Sequence, residues 1–288
     1  MSTTPDSIER DETSGLRPVL AATSTREYLR QMWERRAFAV ALPAEEVRAA
    51  HQDTFLGNVW HLFNPLLSVG VYYLTFGLVL NVSRGIDNYI LWLTIGVFTY
   101  NLTSRSVLSG ASSISSNAGL MRAMRFPRAL LPVSTVMGRL ITFGFELATL
   151  LVVALVTGEG VSRRLLVVPV IVVVHTSLNL GGAFIAARLN DSYRDIQQVI
   201  PFFFQLMRFM SGVMFPVDRF LEAGASHGWI SRLIGLNPLV QILNMYRWAF
   251  MGTAVDPVRV LESVVISAVL LVFGFRFFRA NELEYGRR

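Results

Sequence analysis

Arg122, Arg125 and Arg128 recur at i, i+3 and i+6 inside the stretch "GLMRAMRFPRALLPV", residues 119–133. On a helix that spacing keeps all three within about a third of the circumference. Met121, Met124 and Phe126 lie between them, soft side chains of the kind that dock in a partner's groove. Pro127 interrupts the helix and Pro132 can restart one at its first turn. Two chemistries fit: a basic peg for a soluble partner, or a loop that snorkels its arginines to lipid phosphates. Composition alone does not separate them.

The other groups able to do chemistry are charges inside apolar runs: Arg105, Arg139, Glu146 and Arg208. An ionisable group in a membrane span costs several kcal/mol unless it is paired or wet, so each is a functional candidate. Arg105 and Arg208 could meet the phosphate of a substrate in a polar channel. Arg139 and Glu146, seven residues apart on one helical face, could instead pair to fix packing. Aromatics crowd the same runs, and Tyr72, Tyr73 and Phe76 are the best candidates to line a pathway for sugars; an interfacial belt is the competing role.

What is missing excludes other chemistries. All 26 basic side chains are arginine, so no Walker A lysine exists and the chain is no P-loop ATPase by itself. There is no cysteine, and the four histidines show no ligand spacing, so no metal site is expected. The net charge of +6 is spread among apolar segments with no basic stripe. That argues against nucleic acid and for anionic lipid headgroups.

The elements that carry these residues follow from hydropathy. The chain is 288 residues long, 52% hydrophobic and only 16% charged, too greasy for a soluble domain of that size. Apolar runs of about 20 residues predict an all-α membrane protein with six spans, at about 62–82, 88–111, 131–156, 165–187, 196–215 and 258–278. Residues 1–22 are polar and acidic, lack a signal peptide's pattern, and are expected to form a disordered cytoplasmic tail before the domain that fills 23–288.

With the N-terminus inside, inner segments carry sixteen arginines: seven before the first span, three in 119–133, two in 188–195 and four at the C-terminal end. Seven lie outside. The bias places both termini in the cytoplasm. "TREYLRQMWERRAFAV", residues 25–40, reads as an interfacial amphipathic helix, with Tyr28 and Trp33 on one face and Arg30 and Arg35 on the other. A soluble helix packed on a partner is the alternative. Residues 217–252 are too apolar for an exposed loop and too broken by Gly235, Pro238 and Arg247 for a clean span. Two short re-entrant helices fit better than a seventh span.

Four of these stretches together resemble the ABC-2 family of transporter membrane subunits, specifically the polysaccharide-export permeases. "FLGNVWHLFNPLL" is similar to the family's entry into span one, and "MRFPRALLPV" to its coupling helix, at about 119–130 here. "RLNDSYRDIQQVIPFF", with Arg194 and Asp195, resembles its second cytoplasmic loop. "GLNPLVQILNMYRWAFMG", with Asn237, Pro238 and Arg247, resembles its outer gate helices. Ser211-Gly212 departs from the Ser-Pro of many relatives. Within the family the likeness is greatest to permeases that export actinobacterial cell-wall galactan.

The resemblance implies a homodimeric permease in the plasma membrane, served by two copies of a separate ABC ATPase that binds ATP and Mg. The cargo would be a lipid-linked polysaccharide. The chain itself would be no enzyme and hold no cofactor. A drug- or peptide-exporting ABC-2 permease is the nearest rival. A membrane-embedded glycosyl- or acyltransferase would need convergent acids or histidines, and the spans offer only Glu146, His175 and Glu262, each in a different span. An ion-coupled carrier would need paired intramembrane carboxylates or repeats.

Overall fold

The computed structural model describes residues 24–39, 41, 60–124, 126–193, 195–217, 235–282 and 285. Among them all regular structure is helical, with no strand. The helices are α1 (Thr25–Glu34), α2 (Trp60–Tyr72, continued as a π-helix over Tyr73–Val79), α3 (Tyr89–Ser116), α4 (Ala118–Ala123), α5 (Leu130–Val156), α6 (Val168–Ser192), α7 (Ile196–Met210), α8 (Pro238–Met251) and α9 (Pro257–Arg279). A 3-10 turn, Arg163–Val167, leads into α6.

Local chemistry sets these boundaries. Asn88 begins α3 in the left-handed region, its side chain accepting from the Leu91 amide at 3.4 Å. Asn237 and Asp256 cap α8 and α9, each followed by proline at the first helical position. Gly252, at φ 75°, closes α8 as a left-handed C-terminal glycine would. Arg276 and Arg279 sit in the last turn of α9, where the helix dipole favours cations.

Three helices, Leu130–Val156, Arg163–Ser192 and Pro257–Arg279, are long and apolar enough to cross a membrane, and Phe63–Val79 is a shorter apolar helix. Helices α3 and α7 occupy the other two segments expected to span. Apolar side chains on the outside, among them Phe145, Val152, Val173, Phe202 and Phe273, form a surface that water would not tolerate.

The core is α3, buried on nearly every side from Tyr89 to Ser106. It packs against α5 and α6, and α6 packs against α9. Small residues let these backbones meet. A Cβ added at Gly110 would stand 2.5 Å from the Ala183 Cβ, and one at Gly274 would stand 2.4 Å from the Gly181 carbonyl oxygen. Polar bonds tie the same helices: Thr103 to His175 at 2.6 Å, Asn190 to the Ala111 carbonyl at 2.9 Å, and Arg139 to Ser109 at 2.7 Å. Contacts 103–175, 110–183 and 111–190 rise together along both chains, so α3 and α6 run parallel. Their C-terminal ends, and the loops that follow, share one end of the bundle.

Several expected boundaries shift. The helix expected through about residue 130 stops at Ala123, because Met124 is extended at φ −145°, ψ 151°. Pro127 then disfavours helix in the residue before it. The fifth apolar segment stops at Met210 rather than 215, where Gly212 takes φ 70°. The interfacial helix stops at Glu34, and helical turns resume over 36–39. Within 217–252, where two short re-entrant helices are expected, Pro238–Met251 form the single helix α8 among the described residues; residues 218–234 lie outside the described residues, as do the N-terminal tail, Arg125 and Arg194.

Candidate functional site

Tyr72 and Arg208, far apart in sequence, meet in the lining of a groove. Arg208, in the last turn of α7, donates to the Tyr72 hydroxyl at 2.6 Å and to Asn101 Oδ1 at 3.5 Å. Its guanidinium carbon lies 5.1 Å from the Tyr100 ring centroid and 5.8 Å from that of Tyr72. Tyr100 donates in turn to the Phe204 carbonyl. The groove holds about 480 Å³ between α2, α3 and α7, lined by Tyr72, Phe76, Ser104, Leu108, Phe204, Gln205, Arg208 and Met214 among others. Its wall on α2 lies at the junction with the π-helix, a geometry common at functional sites. An aromatic groove with a single held cation can stack sugar faces and attract an anionic group.

Two expected members of that site lie elsewhere. Tyr73 turns to Tyr89, their ring centroids 6.2 Å apart. Arg105 is absent from the groove's lining, and Glu146 is buried on α5 at 3% exposure. Asn101 was not singled out in the sequence, where it reads as the start of an Asn-x-Thr triplet with no function. Its only signal was an amide inside an apolar run.

At the shared end of the bundle, the segment joining α3 to α5 divides its residues between two surfaces. Arg122 is exposed and Met124 half-exposed, so both can touch a partner. Met121 is part-buried and shares with Met124, Phe126 and Arg128 a small depression of about 120 Å³. Phe126 packs on Phe38, ring centroids 5.5 Å apart. Arg128 turns inward, its guanidinium donating to the carbonyls of Glu282 and Tyr285. The expected row of three arginines on one face is thus not formed: the helix ends before Arg128. Asp195, exposed, opens α7 at the same end.

Helix α1 packs on this end. Tyr28 is buried against Phe275, while Leu29 and Trp33 are 49% and 69% exposed, one turn apart on a neighbouring face. That outward apolar strip beside Arg30, which pairs with Glu27 at 2.9 Å and Glu34 at 3.6 Å, suits a membrane interface. Arg36 lies 4.9 Å from the Trp33 ring. Burial, then the Glu282 carboxylate, raise the Tyr28 hydroxyl far above its ordinary range, so it stays a donor. The bond from Arg30 lowers the Glu27 carboxyl.

At the opposite end Arg247, 3% exposed, lies with its guanidinium carbon 3.4 Å from the Trp92 ring centroid. It donates to the Gly212 carbonyl at 2.8 Å and to Asn244 at 3.5 Å. Asn237 donates to Ser211 at 3.0 Å and caps α8, with Pro238 next. Of the three residues expected to form an outer gate, Arg247 and Asn237 therefore brace the turn after α7, while the Pro238 carbonyl accepts from Ser263 on α9 at 3.2 Å.

Among the described residues no cluster of histidine and acids could hold a metal. Apolar helices with an outward apolar surface, a buried polar-studded core helix and a cation-bearing groove define a multi-pass membrane protein. The chain belongs to the ABC-2 type transporter family, whose model matches residues 40–251. It is similar to the O-antigen export system permease protein RfbA of Myxococcus xanthus, 28% identical over 258 residues, 89% of this chain and 97% of the relative. It is also similar to the protein of that name from Klebsiella pneumoniae, 26% identical over 247 residues, 85% of this chain and 92% of the relative.

Proposed function

We propose that this chain is the membrane subunit of an ATP-driven exporter that moves a lipid-linked polysaccharide, cell-wall galactan as the particular cargo, out across the plasma membrane. The carrying observation is the likeness to O-antigen export permeases, which runs over 97% of one relative's length. The aromatic groove with Arg208 in its lining supports a glycan that carries phosphate.

Two copies of the chain would pair around the pathway, each crossing the membrane six times with both termini in the cytoplasm. Packing of α1, the 118–129 segment and the C-terminal end on one another supports placing them on one side. Two ABC ATPases, binding ATP and Mg, would dock there on Arg122, Met124 and Asp195, with Arg125 and Arg194 as further contacts. Their closure would push the loops after α3 and α6. Those helices are parallel and joined by small-residue contacts, so they would shift as one body. The chain contributes the pathway and no covalent chemistry.

Replacing Arg122 and Arg125 together with Glu tests the docking. Co-purification of the ATPase and export should both be lost while membrane insertion is retained. Undiminished co-purification would overturn the assignment. A chain purified without its partner should hydrolyse no ATP.

A further inference from the structure

The N-terminus of α5 is capped from two distant parts of the chain. Ala129 precedes the first residue of α5 and has no side chain to cap it. Leu130 and Leu131 donate back to the carbonyls of Pro127 and Arg128 at 3.0 and 3.1 Å. The amides of Arg128 and Ala129 have no such local acceptor. Arg128 N–H donates to Glu282 Oε1 at 2.9 Å, and Ala129 N–H donates to the Tyr28 hydroxyl at 3.2 Å. Tyr28 donates in turn to the same Glu282 oxygen at 2.6 Å. The carboxylate also faces the positive end of the α5 dipole.

A second set of bonds holds the carboxylate in place. The Arg128 guanidinium reaches the carbonyls of Glu282 and Tyr285. Tyr285 is buried, and its hydroxyl donates to the Phe278 carbonyl at 2.6 Å. Arg279 donates to Thr25 at 2.5 Å and lies 4.9 Å from the Tyr28 ring. Helix α1, the loop before α5 and the end of α9 thus meet at one acid.

We propose that Glu282 is a positioning residue for the ATPase-docking loop, and that Tyr28 joins the interfacial helix to it; this rests on reading the segment before α5 as that loop. A push on Arg122 and Met124 reaches α5 only if the far end of the loop is held. Without the acid, the segment from Met124 to Ala129 would bend and absorb the stroke. A glutamine at 282 keeps the accepting oxygen. An alanine removes it, and a phenylalanine at 28 removes the bridging hydroxyl.

The chain has no cysteine, so Ala123→Cys, on the exposed side of α4, carries a single nitroxide. In the otherwise unchanged chain the spectrum should be broad. Glu282→Ala and Tyr28→Phe should each convert more than half of it to a sharp, mobile component, and Glu282→Gln should stay broad. In complex with the ABC ATPase that co-purifies with the parent chain, Glu282→Ala should keep the partner and lose export at least tenfold. Glu282→Gln should retain export within about threefold. A broad spectrum in both Glu282→Ala and Tyr28→Phe overturns the proposal, as does loss of the partner in Glu282→Ala, which would make Glu282 part of the docking surface. If the parent itself binds no ATPase, the docking assignment falls while the nitroxide result stands on its own.

Discussion

Arg247 donates to the Gly212 carbonyl at 2.8 Å, with its guanidinium carbon 3.4 Å from the Trp92 ring centroid. One side chain on α8 therefore holds the turn that ends α7 and the core helix α3. A planar fork can stack and donate at once, which an ammonium cannot. Arg247→Lys should destabilise the protein by about 2 kcal/mol, the scale of a desolvated cation–aromatic contact. Unfolding followed by tryptophan fluorescence in detergent checks this, and an unchanged melting temperature would remove Arg247 from its bracing role.

Gly212 itself is fixed by conformation. Its φ of 70° is open to glycine, and an added Cβ would stand 2.5 Å from the Val217 side chain. Gly212→Ala should cost about 1–2 kcal/mol, the penalty of left-handed backbone for an L residue. Gly212→Pro should be worse, because its ring locks φ near −65°. If the proline variant melted above the alanine variant, the turn would have to adopt another conformation.

The helix crossings give a paired test. Gly274→Ala drives a methyl to 2.4 Å from the Gly181 backbone, which cannot move aside, so α6 and α9 must separate. Loss of about 1–3 kcal/mol is expected from overpacking. Gly144, inside α5, has nothing within 4 Å of an added Cβ. Gly144→Ala should stabilise by up to about 1 kcal/mol through helix propensity. Thermal unfolding of both variants in one detergent separates the two effects. Equal shifts would show that the crossing is looser than described.

The helical class was legible in the sequence because apolar runs of spanning length leave few alternatives. The tertiary use of individual residues was not. Arg128 looked like the third cation of one helical face, yet Met124 leaves the helix and sends Arg128 to the C-terminal end. No local pattern announces an acid 154 residues away as its partner. Tyr72 and Phe76 were found together with Arg208, as their types suggested, but Tyr73 beside them turned to Tyr89. The crossings of α6 with α3 and with α9 had a readable trace, in Gly181-Gly182-Ala183 followed by Ala186-Ala187. A search restricted to Gly-x-x-x-Gly passes over it.

Helix α1 makes a pH-dependent prediction. Ser24 accepts from the Glu27 amide at 3.2 Å, and Glu27 bonds Arg30 and Gln31. The bond from Arg30 lowers the Glu27 carboxyl, so ionised Glu27 supports the helix above the ordinary glutamate value of about 4.3. That support is lost as pH falls through the lower folded value. A nitroxide at Arg26→Cys should therefore gain mobility below about pH 4, ahead of global unfolding. Glu27→Gln should abolish the pH response, and a response that persists in that variant would assign it to another group. Ser24→Ala should weaken the same helix by about 1 kcal/mol at neutral pH.

The groove offers the sharpest test of cargo recognition. If Arg208 meets the phosphate of a lipid-linked glycan, charge matters more than the bond that holds it. Arg208→Gln should then reduce export at least tenfold, Arg208→Lys less, and Tyr72→Phe least, because the cation survives and loses only one partner. ATPase co-purification should be unchanged in all three, since the groove lies between α2, α3 and α7 and away from the docking loop. If Arg208 merely packs helices, Gln and Lys variants should fall together and follow the loss of melting temperature. Export in membrane vesicles, measured beside thermal unfolding of the same variants, distinguishes the two roles by whether transport falls further than stability does.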